Sequence, residues 1–71
     1  MEEMRLIDIL SNIANDKVVP KIIKYELLQE NYQELIYDES ELEYRFRNDY
    51  DNFLTIPNHH LKDKVKIISW N

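Results

Sequence analysis

The chain has no cysteine and no glycine among its 71 residues, and only two prolines. Without cysteine there is no disulfide and no thiolate metal site. A small domain must then rely on an apolar core or on a second copy of itself for stability. Without glycine, a P-loop or a dinucleotide fingerprint is disfavoured, because both need glycine where backbone approaches phosphate. Left-handed backbone positions fall instead to Asn and Asp. The candidates are Asn15 and Asp16, Asn31, Asn48 and Asp49, and Asn58. Long apolar runs are missing too. Aliphatic runs such as Val18-Val19 and Ile67-Ile68 stop at two residues, against the roughly 20 a membrane span requires. The start carries Glu2 and Glu3 in place of the basic stretch of a signal peptide. A cytoplasmic setting, in a bacterial host cytosol, is the expectation, and no membrane is expected as a partner.

What is present is core material: nine Ile, eight Leu, five Tyr, two Phe and one Trp. A disordered chain does not carry so many, and the length allows one domain, residues 1–71. The net charge of −5 has a location. Residues 1–25 are neutral, residues 26–51 carry −7, and residues 52–71 carry +2.

Over residues 3–15, Met4, Leu6, Ile7, Leu10, Ile13 and Ala14 form one stripe with Ile9 at its edge, the period of an amphipathic helix. Asn15 and then Pro20 stop it. Residues 21–28 and 32–37 alternate as two strands of a hairpin across a turn at Gln29–Asn31, and residues 64–70 alternate as another strand. Between 41 and 54 two patterns compete. Leu42, Tyr44 and Phe46 alternate with Glu43, Arg45 and Arg47, which favours a strand over 42–47. Leu42, Phe46, Tyr50, Phe53 and Leu54 also fit a helical stripe, and Ser40 with Glu43 has the spacing of a capping box. With strand preferred, the segment from there to Pro57 reads as irregular. The expected fold is α+β: an N-terminal amphipathic helix packed on a small antiparallel β-sheet of three to four strands. Such a sheet leaves a face and an edge uncovered, so homodimerisation is a further expectation. Trp70 reads as a core anchor or an interface residue.

Few residues offer chemistry. His59 and His60 with Asp63 have a metal-like look, since His59 and Asp63 would share a helical face. Adjacent histidines diverge, however, and a site needs three or four convergent ligands. No serine or threonine has the spacing of a nucleophile beside a base. Neither a metal, a cofactor nor an enzymatic activity is expected. Lys62, Lys64 and Lys66 are too few for direct nucleic-acid binding on an acidic chain; they read as protection of an edge strand. The acidic middle is the better candidate. There Asp38, Glu39, Glu41, Glu43, Asp49 and Asp51 interleave with Tyr37, Tyr44, Phe46, Tyr50 and Phe53; some of these aromatics belong to the core, and Tyr44 and Tyr50 are assigned with the acids to the surface. Carboxylates with exposed tyrosines suit docking onto a basic, nucleic-acid-binding surface of another protein, where they stand in for phosphates.

The two ends of the chain carry motifs. Leu6-Ile7-Asp8, Ile13-Ala14-Asn15 and Lys21–Tyr25 (KIIKY) open it, and Leu61-Lys62-Asp63-Lys64-Val65-Lys66-Ile67-Ile68 closes it. This resembles a group of short uncharacterised phage and prophage proteins of Gram-positive bacteria, with an LID-x-L…IAN opening, a K-x-IKY strand and an LND-x-V-x-II close. The chain departs from that pattern in lacking a glycine after Ala14-Asn15 and in having Lys62 where Asn is usual. The resemblance implies a small accessory protein of a mobile element and transfers no catalytic residue. It directs the functional expectation to stoichiometric binding of a host protein. In its most concrete form that is an anti-defence, anti-CRISPR-like inhibitor whose acidic surface blocks a nucleic-acid-binding groove. The alternatives are an oligomeric protein that sequesters a nucleotide signal, and a structural or replication accessory protein with no inhibitory role.

Overall fold

The computed structural model describes residues 2–71. In chain order the elements are β1 (Glu3–Arg5), α1 (Leu6–Ala14), β2 (Ile22–Lys24), β3 (Glu34–Asp38), β4 (Glu43–Phe46), β5 (Asp49–Phe53) and β6 (Lys64–Ser69), with single 3-10 turns at Glu30–Tyr32 and Asn58–His60. The class is α+β as expected, but the sheet has six strands in the order β1-β6-β2-β3-β4-β5. Every pairing in it is antiparallel.

The hairpin expected from residues 21–37 is β2–β3, with Ile23 opposite Leu35. Its first strand is shorter than the alternation suggested. Beyond Tyr25 the chain turns, and Leu27, which a continued strand would place on the face of Ile23 and Tyr25, lies exposed. The helix is shorter too. Glu3–Arg5 leave it to pair with β6, setting Met4 opposite Val65. Leu6 and Ile7 then donate their backbone N–H groups to the carbonyls of Asp63 and Leu61 at 2.9 and 2.8 Å. These carbonyls do the work of a side-chain cap, which α1 lacks. Anchored there, the helix turns Leu6 and Ile9 into the core and leaves Ile7 and Leu10 exposed. The stripe is therefore centred one position away from where periodicity placed it. Asp16 (φ 56), not Asn15, holds the left-handed position after the helix.

The core lies between α1 and one face of the sheet. Ile23, Tyr25, Leu35, Tyr37, Tyr44 and Val65 pack there with Leu6 and Ile9. The alternation in β3, β4 and β6 requires this, since Leu35 and Tyr37, Tyr44, and Val65 and Ile67 all fall on that face. The opposite face carries Ile22, Ile36 and Ile68 among charged side chains and has no helix over it. A register shift where β2 meets Ile67–Ser69 interrupts the alternation of β6. Trp70 beyond it is partly exposed, lines a cleft with Ile13 and Tyr37, and donates from Nε1 to Glu2. The strand over 42–47 appears as β4, whereas the irregular stretch expected after it contains β5. The three lysines do not guard an edge. β6 lies inside the sheet between β1 and β2, and Lys66 pairs with Glu26 at 2.8 Å.

Candidate functional site

The acidic middle of the sequence becomes the β3–β4 hairpin and the edge strand β5. At the hairpin tip, Ser40 donates its backbone N–H (3.0 Å) and its hydroxyl (2.7 Å) to Asp38 Oδ1. This short-range loop uses Ser40 for a turn instead of the helix cap its spacing suggested. Two residues later Leu42 sits at φ 56. The steric cost of a bulky side chain in that region is of order 1–2 kcal/mol, and none of the Asn and Asp candidates after Asp16 takes up a left-handed position.

One base organises the region. Arg45 donates from Nε to Asp38 at 3.0 Å, pairs through Nη2 with Glu43 at 2.9 Å, and donates from Nη1 to the Tyr50 carbonyl at 2.9 Å. Its guanidinium carbon lies 5.4 Å from the centre of the Tyr50 ring, within cation–π range. Arg45 thus joins β3, β4 and β5. The Ser40 hydroxyl, with help from Arg45, holds the Asp38 carboxyl below its ordinary range.

The eight residues expected to meet a partner are consequently divided. Glu39, Glu41 and Asp51 are exposed, and among the described residues none of them enters an ion pair. Tyr50 is exposed on β5. Asp49 is half-buried and accepts from the Asn52 amide at 2.6 Å. Asp38 and Glu43 are half-buried and committed to Arg45. Tyr44 corrects the expectation: it is buried, tilted against Tyr37 with ring centres 5.1 Å apart, and donates its hydroxyl to the Pro20 carbonyl at 2.6 Å. Burial, then the neighbouring Tyr37, pushes its hydroxyl pKa well above that of a free tyrosine. It belongs to the core because β4 alternates and its inner positions face α1.

Sequence reasoning noted Phe53 among the aromatics of the acidic middle but assigned neither it nor Leu42 to the surface, and it did not foresee a cleft. An open cleft of about 330 Å³ is lined by Leu10, Ile13, Leu42, Phe53, Leu54 and Ile56, together with Glu43, Tyr44 and Thr55. Leu42 is 61% exposed and Phe53 53%. Neither has a sequence signature that separates it from the core residues around it.

The histidine segment has a different role. His60 Nδ1 lies 2.8 Å from Asp63 Oδ2, and the same oxygen accepts from the buried Tyr25 hydroxyl at 2.5 Å. His59 rests on His60 with ring centres 4.1 Å apart, so the pairing with Asp63 falls to His60 and not to His59. The Tyr25 hydroxyl first, then His60, lowers the Asp63 carboxyl below its ordinary range. Burial first, then Asp63, raises Tyr25 to about 12. The cluster ties β2 to the segment before β6. Among the described residues, no group of three or more His, Cys, Asp or Glu could hold a metal ion, and no helix is long and apolar enough to cross a membrane.

Comparison with known proteins found no match: no family model, no curated protein and no solved structure matches the chain.

Proposed function

We propose that this chain acts by stoichiometric binding to another protein, presenting the β3–β4 tip and β5 to a basic surface. The observation that supports this reading is the set of exposed carboxylates of Glu39, Glu41 and Asp51 beside the exposed ring of Tyr50. Unpaired acids at a surface raise the encounter rate with a positively charged partner and fix its orientation, and a neighbouring aromatic ring supplies contact area. A basic groove that otherwise holds nucleic acid has the complementary chemistry. Together with the phage-like motifs at the two ends, this gives an anti-defence inhibitor that occupies such a groove in a host protein of the bacterial cytosol. The combined variant Glu39→Lys, Glu41→Lys and Asp51→Lys tests the mechanism, because it reverses charges that no ion pair among the described residues uses. The variant should melt close to wild type, yet lose the host protein that wild type retains from a Gram-positive lysate. Retention of the same protein at equal yield removes the mechanism.

A further inference from the structure

The cleft beside the acidic tip combines three properties. Its floor and walls are mainly aliphatic and aromatic, from Leu10, Ile13, Leu42, Phe53, Leu54 and Ile56. Two of those side chains, Leu42 and Phe53, are more than half exposed. One of them, Leu42, keeps its exposed position on a backbone conformation that disfavours leucine. An apolar cavity of about 150 Å³ already takes up a benzene ring, so about 330 Å³ accommodates an indole or a large aliphatic group.

Charge selects the occupant. The exposed Glu41 precedes Leu42 and the exposed Asp51 lies two residues before Phe53; Glu43, which lines the cleft, is engaged by Arg45, and among the described residues no lysine or arginine lines the cleft itself. A second copy docking here would bring the same carboxylates toward one another. A segment with basic residues on both sides of its apolar anchor meets opposite charge instead. We infer that the cleft between Leu10, Leu42 and Phe53 receives one large apolar side chain, flanked by lysine or arginine, from the bound protein. The inference rests on the protein-binding reading above and adds the anchor that acidic residues alone do not supply: a desolvated pocket at the centre with charges at the rim.

The test is a titration of the isotope-labelled chain, followed by amide NMR, with acetyl-Lys-Lys-Trp-Lys-Lys-amide. The comparison peptides replace Trp by Ala, or every Lys by Glu. The expected result is shifts centred on Leu10, Leu42, Phe53 and Ile56. Affinity for the basic tryptophan peptide should exceed that for either comparison peptide by about tenfold, the equivalent of 1.4 kcal/mol. Leu42→Asn, which suits the left-handed backbone and keeps the fold, should weaken binding. Equal affinity for the alanine peptide overturns the inference while leaving the acidic surface in place. Shifts away from the cleft overturn it as well, as does concentration-dependent self-association that broadens the same amides without peptide. Conversely, peptide binding in the cleft with host-protein capture unaffected by charge reversal keeps the cleft and removes the acidic-groove mechanism.

Discussion

Two regions of the sheet are each tied together by one ionised side chain, and they present different surfaces. Around Asp63 the centre is an acceptor. Its carboxylate takes the Tyr25 hydroxyl and faces His60, and its backbone carbonyl takes the first amide of α1. Everything that meets there (β2, α1 and the segment leading into β6) is also packed by buried aliphatic residues. Around Arg45 the centre is a donor that reaches two carboxylates and a carbonyl. Less is packed behind it: β5 is exposed at every position but Asp49, and its pairing with β4 slips between Arg45 and Phe46. The first region uses its polar knot to complete a core. The second uses it to hold an edge that the core does not reach. Leu42, Tyr50 and Phe53 are exposed at the second, where a partner can meet them.

The largest expected effect lies in the core the two regions share. Leu35→Ala removes a fully buried side chain and should cost about 3–4 kcal/mol in urea unfolding, enough to leave a domain of this size largely unfolded. Arg45→Met comes next. It removes the base that Asp38, Glu43 and the Tyr50 carbonyl share, and should lower the urea midpoint by less than Leu35→Ala does, with amide exchange accelerating at Tyr50 and Phe53 far more than at Ile23. Uniform acceleration would erase the contrast between the regions. Tyr25→Phe removes one hydroxyl from the Asp63 cluster and should cost about 1 kcal/mol. The alkaline limb sharpens the same point. Because the Tyr25 pKa is raised in the folded chain to about 12, its contribution is complete below about pH 10, the value of a free tyrosine. It is then lost as pH rises toward 12, so the phenylalanine variant should show a shallower loss there.

A smaller effect is expected in acid. Asp63 and Asp38 both have lowered pKa values. Their contributions are present above the ordinary carboxylate range and disappear as pH falls through the lowered values. Asp63→Asn should flatten part of that slope in pH-dependent unfolding and leave the part due to Asp38. The smallest change has the opposite sign. Leu42→Asn relieves a disfavoured backbone and should raise stability by up to about 1 kcal/mol, read as a small increase in melting temperature. A loss of stability would place Leu42 in the packing of the monomer.

Much of the fold is legible because alternation and burial coincide. Leu35 with Tyr37, and Val65 with Ile67, mark β3 and β6, and the aliphatic content of α1 marks a helix. The strands that were not legible are those whose residues say little by themselves. Glu3–Arg5 has one inward side chain, Met4, and fits the helical stripe equally well until β6 offers a pairing edge. Asp49–Phe53 has no apolar alternation, and its place depends on Arg45 reaching the Tyr50 carbonyl and on the Leu54 amide reaching the Tyr44 carbonyl. The candidate site was half legible for the same reason. Composition located the acids, but it could not tell Glu39 and Glu41, which are exposed, from Asp38 and Glu43, which Arg45 engages. Nor could it tell Tyr50 from the buried Tyr44.

By itself the sequence determined the inventory: an aliphatic core without disulfides, turns without glycine, and negative charge concentrated in residues 26–51. Those properties follow from residue type and local period, which the chain carries wherever it goes. Tertiary structure decided the use of that inventory. It turned Leu6 and Ile9 inward and Leu10 outward, placed β6 inside the sheet, spent two carboxylates on Arg45, and set Leu42 beside Phe53 across the mouth of a cleft. Each of these depends on which distant segment comes to lie alongside, and no local pattern encodes that.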